Sequence, residues 1–136
     1  MKRAMLLLAA IAVALGLASG MALAATIVGT SKDETLVGTA HADTISAKGG
    51  ADEVRGRGGP DQLYGNTGRD KIYGGFGKGD RLHGGRGDDR LFSEDIFSQS
   101  GAYRDVVDCG PGHDFASVDF RDRVRANCEE VGTAIP

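Results

Sequence analysis

The chain is poor in the residues that usually hold a small domain together or do chemistry in it. Of its 136 residues none is tryptophan, three are proline, two are cysteine and 6% are aromatic. Its three histidines, His41, His83 and His113, show no zinc-ligand spacing. No G-x-S-x-G or H-E-x-x-H motif occurs. We therefore expect no catalytic activity.

Positive charges are slightly outnumbered by negative ones, 16 Lys and Arg against 19 Asp and Glu, and part of the positive charge lies in a leader. Lys2 and Arg3 precede an apolar run that ends in Ala22-Leu23-Ala24, which predicts a secretory signal peptide over residues 1–24, with an uncleaved anchor as the alternative. Cleavage removes two positive charges and takes the net charge from −3 to −5. Phosphate binding needs clustered Lys and Arg, so we expect no nucleic-acid partner. After cleavage we expect no membrane span.

Glycine, in contrast, is abundant, with 22 residues. A flexible linker has this composition but does not carry aliphatic residues in a fixed register. Here single aliphatics recur at intervals of 9, 9, 9, 9, 10 and 9 residues: Leu36, Ile45, Val54, Leu63, Ile72, Leu82 and Leu91. An internal repeat of this length is typical of a solenoid.

An acid stands two residues before every one of these aliphatics: Glu34, Asp43, Asp52, Asp61, Asp70, Asp80 and Asp89. Glycine precedes most of the acids by two residues. The segments GNTGRDKIY (65–73) and GGRGDDRLF (84–92) follow the pattern G-G-x-G-x-D-x-U-x, where U is a large aliphatic. This pattern resembles the nonapeptide of the RTX, or haemolysin-type, calcium-binding repeat family. The resemblance is strong over residues 29–92 and weak over 101–131.

The repeat also predicts a fold on physical grounds. In Lys71-Ile72-Tyr73 one apolar side chain is flanked by outward ones, which indicates a three-residue strand with its aliphatic inward. The six residues before it contain the glycines that tight turns need. Two nonapeptides then make one coil of a parallel β-roll, an all-β, two-sheet solenoid. We assign residues 25–92 to this roll.

Coiling of this kind stacks acids 18 or 19 residues apart on the same edge of the roll. Stacked carboxylates about 4.8 Å apart repel unless a cation lies between them, and calcium takes six to eight oxygens from carboxylates and backbone carbonyls. The predicted side-chain ligands, which the family resemblance also implies, are Asp43, Asp52, Asp61, Asp70, Asp80 and Asp89. The predicted carbonyl ligands are Gly65, Gly68, Gly84 and Gly87.

The repeat is interrupted after Leu91. We predict an insertion loop over residues 93–104, followed by degenerate repeats and a cap over 105–136, where Asp114 is a further ligand candidate. Cys109 and Cys128 are the only cysteines, and in an exported protein such a pair indicates a disulfide that staples the last coil.

The predicted function is calcium binding that is coupled to folding outside the cell. The alternative is a calcium-dependent adhesion or cell-envelope protein that presents Tyr73 and Phe92, or the 93–104 loop, to a glycan or protein. Many members of the family are large toxins or proteases exported without an N-terminal signal. This chain instead has a predicted leader and resembles a stand-alone repeat module, so we do not expect those activities here. The partner and the oligomeric state stay open.

Overall fold

The structure, a computed structural model, describes residues 23–77, 79–93 and 104–133. Over these residues the regular elements are all β-strands. They are β1 Thr26–Val28, β2 Thr35–Val37, β3 Thr44–Ser46, β4 Glu53–Gly58, β5 Gln62–Thr67, β6 Lys71–Phe76, β7 Arg81–Arg86, β8 Arg90–Phe92, β9 Val106–Asp108, β10 Phe115–Val118, β11 Arg123–Val124 and β12 Glu130–Thr133. Residues 1–22 of the predicted signal peptide and 94–103 of the predicted insertion lie outside the described residues.

The strands form two six-stranded parallel sheets. The first sheet has the order β1-β3-β5-β7-β9-β11, and the second has the order β12-β10-β8-β6-β4-β2. Successive strands thus alternate between the sheets, and each strand pairs with the strand one full coil away. This confirms the predicted all-β parallel β-roll.

The core is a double column of aliphatic side chains, one from each half-coil. Ile45 lies opposite Leu63 and Leu63 opposite Leu82 in the first sheet, while Val54 lies opposite Ile72 in the second. These side chains are fully buried. Because a strand alternates its side chains between faces, placing one aliphatic inward sends both neighbours out. The nine-residue interval therefore sets the two columns of large aliphatic side chains from Ile45 to Leu91.

The central strands are longer than the repeat predicts. Strands β4 to β7 have six residues each, not three, because the ladder continues through the first three residues of the next nonapeptide. In β5 these are Gly65, Asn66 and Thr67. Glycines stacked from coil to coil keep their backbones close enough to go on pairing, as Asn66 does with Gly85. The turn proper is therefore only about three residues long.

The C-terminal segment continues the same solenoid. Strands β9 and β11 extend the first sheet, and β10 and β12 extend the second. Cys109 and Cys128 form the predicted disulfide, with their Cα atoms 5.2 Å apart. Linking residues at this sequence separation of 19 stabilises a fold by roughly 3 kcal/mol.

Aromatic side chains on the outer faces stack along the roll. Tyr73 and Phe92 lie 4.8 Å apart with their planes within 10°, and Tyr64 stacks on His83 at 4.9 Å. The Arg55 guanidinium lies 5.7 Å from the centre of the Tyr73 ring. Both faces of Tyr73 are therefore covered. In the described part of the chain there is no helix with the length and hydropathy of a membrane span.

Candidate metal centre

The acids of the repeat form two ladders, one along each edge of the roll. We define the first ladder as Asp43, Asp61, Asp80, Asp105 and Asp122, and the second as Glu34, Asp52, Asp70, Asp89, Asp114 and Glu129. Within each ladder the backbone N–H of one acid donates to a carboxylate oxygen of the acid one coil later, at 2.7–3.0 Å. The predicted stacking of the acids is thus confirmed.

These hydrogen bonds use only one oxygen of each carboxylate. The Oδ2 atoms of Asp52, Asp61, Asp70, Asp89 and Asp114 are buried and accept no hydrogen bond. A buried polar atom without a partner is costly, and more so when it carries charge. Five such oxygens in a regular array are the feature of this fold that most needs a ligand.

A glycine lies beside three of these oxygens, those of Asp61, Asp70 and Asp89. We call the residue five before the acid, or six before Asp80, the column position. It is glycine before these three acids, but alanine before Asp52 and cysteine before Asp114. A Cβ on Gly65 would lie less than 3 Å from both Asp70 Oδ2 and the Gly84 carbonyl oxygen. Gly56 has the same relation to Asp61 Oδ2 and the Gly74 carbonyl oxygen. A carboxylate oxygen and a carbonyl oxygen of the next coil therefore converge on bare backbone.

The predicted carbonyl ligands occupy different places. The Gly84 carbonyl lies beside Asp70, as described above, and Gly65 supplies the bare Cα against which both oxygens pack. The carbonyl oxygens of Gly68 and Gly87 point along the roll towards Gly87 and Gly112, respectively. A ligand role for these four glycines stays a prediction.

The donor set fits a hard divalent cation. Each central turn offers one buried carboxylate oxygen together with backbone carbonyls, which are the donors that calcium prefers. Among the described residues, no three His, Cys, Asp or Glu side chains come together as a metal cluster. Backbone carbonyls would thus supply most of the six to eight oxygens.

Without a cation the electrostatics of the ladders are unfavourable. Burial raises the pKa of Asp61 and of Asp89 to about 7, and that of Asp52 to about 6. Backbone N–H donors lower these pKa values, and neighbouring carboxylates in the ladder raise them again. Burial also raises the pKa of Asp70 and Asp114. The cation-free ladder therefore favours protonated carboxyl groups.

A pH dependence of stability follows from these shifts. Because the folded pKa values of Asp61 and Asp89 are raised, the cation-free fold binds more protons than the unfolded chain, and its stability rises as pH falls from about 7 towards 4. We expect the calcium-stripped chain to gain β structure between pH 8 and pH 5, measured by far-UV circular dichroism. A calcium-saturated sample is the control and should change little. Equal or lower β content at pH 5 would contradict the assignment.

The N-terminal acids differ from the central ones. Asp43 Oδ2 accepts hydrogen bonds from the Thr39 N–H, at 2.5 Å, and the Thr39 hydroxyl, at 3.1 Å. Glu34 Oε2 accepts the Thr30 N–H at 2.6 Å, and Glu34 Oε1 accepts the Thr30 hydroxyl at 3.0 Å. Both carboxylates thus already have protein donors.

The structure adds residues that the repeat did not identify. Asp105 is buried and joins the first ladder, because its N–H donates to Asp122 and its carboxylate accepts the N–H of Asp80. The signal for it was the pair Asp105 and Val107, which has the usual two-residue spacing after the interruption. The candidate Asp114 lies in the second ladder, one coil beyond Asp89.

Comparison with known proteins agrees with this geometry. The chain matches the RTX calcium-binding nonapeptide repeat in four overlapping copies, at residues 28–63, 46–80, 55–91 and 77–95. Together these copies cover residues 28–95, which is half of the chain. No curated protein matches the sequence.

Proposed function

The chain belongs to the RTX calcium-binding nonapeptide repeat family, whose repeats bind calcium, and from this membership we propose a secreted β-roll whose folding is coupled to calcium binding. One observation carries the proposal. The fold buries five carboxylate oxygens that accept no hydrogen bond, each on a ladder of stacked acids. A cation is the ligand that removes this cost.

The ions are held in the turns between stacked coils. We assign the side-chain ligands to Asp52, Asp61, Asp70, Asp80 and Asp89, with Asp114 at the C-terminal end. Carbonyls beside them, such as Gly84 next to Asp70 and Gly74 next to Asp61, complete the donor sets. Bound calcium supplies the positive charge that lets neighbouring carboxylates be buried as anions.

Calcium binding is coupled to folding because the ligands of one ion come from different coils. Asp70 and the Gly84 carbonyl belong to successive coils and meet only when the coils stack. A site that exists only in the folded state adds its binding free energy to folding. Each ion therefore stabilises the contact between two coils, and the array as a whole depends on calcium.

Secretion agrees with this mechanism. The predicted leader over residues 1–24 and the disulfide between Cys109 and Cys128 both support an oxidising compartment. Modules that work outside cells bind calcium with affinities of about 10⁻⁴–10⁻³ M. In this range the roll orders where calcium is plentiful and stays unfolded where calcium is scarce.

No contact in the described residues favours adhesion as a second function. The surface that would carry it contains Tyr73 and Phe92, but the Tyr73 ring lies between Arg55 and Phe92, so neither face of that ring is open to a sugar. The other candidate surface, the 93–104 insertion, lies largely outside the described residues. The absence of catalytic activity stays a prediction.

Calcium titration by isothermal titration calorimetry tests the proposal. We expect wild-type protein of residues 25–136 to bind several calcium ions and no magnesium at the same concentrations. Asp70→Asn should bind at least one ion fewer, because it replaces a carboxylate oxygen that has no protein partner. Asp33→Asn is the matched control, since Asp33 is an exposed acid outside the ladders. Wild-type protein that shows no calcium binding would refute the function.

A further inference from the structure

The residue that follows the column position differs between the first coil and the coils up to Asp114. In the coils up to Asp114 this residue has a left-handed backbone, with φ between 76° and 107°: Lys48, Arg57, Asn66, Gly75, Gly85 and Gly110. In the first coil it is Thr30 or Thr39, and neither has a positive φ. A β-branched residue strongly disfavours the left-handed region. Sequence therefore decides the backbone conformation at this point.

The backbone conformation at this position correlates with whether the carboxylate four residues later accepts a hydrogen bond on its second oxygen. After Lys48, Arg57, Asn66, Gly85 and Gly110, the acids Asp52, Asp61, Asp70, Asp89 and Asp114 each keep a buried Oδ2 without a hydrogen-bond donor. After Thr30 and Thr39, the acids Glu34 and Asp43 accept both the N–H and the hydroxyl of the threonine. Among these seven acids the two behaviours do not mix.

We propose that Thr30 and Thr39 take the place of calcium in the first coil, so that Glu34 and Asp43 bind no ion. The proposal rests on calcium being the ligand of the later turns. The threonine N–H and hydroxyl satisfy the carboxylate oxygen that a cation would otherwise neutralise. The repeat and the family resemblance both assigned Asp43 as a ligand. On this proposal hydrogen bonds from Thr39 satisfy Asp43 instead.

The space beside the carboxylate does not explain why Asp43 differs from the later acids. A Cβ on Gly38 would lie 2.5 Å from Asp43 Oδ2 and 2.6 Å from the Gly56 carbonyl oxygen, so the same two kinds of oxygen converge there as at Gly65. The Asp43 turn therefore has the framework of a cation site. What differs is the donor on Thr39, and a change of this one residue should convert the turn.

Because threonine supplies the hydrogen bonds in the first coil, the N-terminal end of the array does not depend on calcium. The first coil carries β1 and β2, which are the edge strands of the two sheets in the described structure. A cation held there would have only one neighbouring coil to enclose it. Hydrogen bonds within one turn, between residues four apart, need no second coil.

Counting bound ions tests the proposal, by calorimetry and by Tb³⁺ luminescence on residues 25–136. Asp43→Asn should leave the number of ions unchanged. Asp61→Asn, the matched control one coil later in the same ladder, should lower the number by one. Thr39→Gly, which recreates the Gly-Gly pair of residues 84–85, should raise the number by one, and adding Asp43→Asn to it should remove that ion again.

The outcomes separate this proposal from the proposed function. If wild-type protein binds no calcium, or Asp61→Asn loses no ion, the calcium function itself fails. If Asp61→Asn loses one ion and Asp43→Asn also does, only the threonine closure is overturned. An unchanged ion number in folded Thr39→Gly likewise overturns it. Should Asp43→Asn not fold, anomalous difference maps of Tb³⁺-loaded wild-type crystals decide, and a peak at Asp43 refutes the closure.

Discussion

Removal of calcium from residues 25–136 is expected to convert the roll into a largely disordered chain. In excess chelator at pH 8 the far-UV circular dichroism spectrum should be that of a coil, and a calcium titration should restore a β spectrum in a cooperative transition. The turns of Asp52, Asp61, Asp70 and Asp89 each bury a carboxylate oxygen that accepts no hydrogen bond. At pH 8 the raised pKa values of Asp61 and Asp89, about 7, no longer keep these groups protonated.

The core cannot offset this charge by itself. Each half-coil of nine residues contributes one large buried aliphatic side chain, such as Leu63 or Ile72. Burial of that side chain stabilises the fold, whereas the backbone entropy lost when nine residues become ordered opposes folding. Backbone hydrogen bonds between coils add to the stability of the fold, whereas buried carboxylate anions reduce it. We therefore expect the chain to need calcium in order to fold.

Magnesium at the same concentration is the control for this titration. Magnesium demands near-octahedral geometry and retains its water, so a set of backbone carbonyls suits it poorly. We expect no transition with magnesium. A spectrum that is already rich in β structure in chelator, and that calcium does not change, would show that the carboxylates are not folding ligands. Their role at the surface or in catalysis would then have to be reconsidered.

Replacement of Gly68 by alanine is expected to prevent the coils from stacking even in saturating calcium. Gly68 has a φ of +131°, and a Cβ there would lie far inside 3 Å of the Gly50 carbonyl oxygen. Gly68 itself is stacked against Gly87 in the same way. The backbone of two neighbouring coils would have to separate, so the free energy of unfolding should fall by about 3 kcal/mol or more.

The chain contains a matched control for this substitution. Gly79 also has a positive φ, +78°, but a Cβ there would meet no atom within 4 Å. Gly79→Ala should therefore lose only the conformational preference, about 1–2 kcal/mol. Urea unfolding in saturating calcium, followed by circular dichroism, measures both variants. Equal losses in the two variants would mean that close packing between coils does not limit stability.

Several features follow from the order of residues alone, because they depend only on a period. An aliphatic every nine residues, as at Leu63 and Ile72, places one side chain inward per half-coil. An acid two residues earlier must then lie at the start of a strand, and acids 18 or 19 apart must stack. The pairing of Cys109 with Cys128 required only that two cysteines exist in an oxidising compartment.

Other features were decided by contacts between coils, which a linear pattern does not contain. The length of β5 depends on glycine backbones from neighbouring coils lying close enough to go on pairing. The place of Asp105 in the first ladder depends on the chain resuming its register after the interruption, 25 residues beyond Asp80. A nine-residue period predicts neither the length of β5 nor the place of Asp105, because each depends on contacts between residues far apart in sequence.

The hydrogen-bond partners of the second carboxylate oxygen, Oδ2, are the clearest case. The repeat identifies Asp43 and Asp61 as equivalent acids, since both precede an aliphatic by two residues. In three dimensions Asp61 Oδ2 has no donor, whereas Thr39 donates to Asp43 Oδ2. Sequence by itself determined that an acid stands in every turn. The tertiary structure decided which oxygens are left for a cation, because that depends on whether a neighbouring residue such as Thr39 donates to the carboxylate.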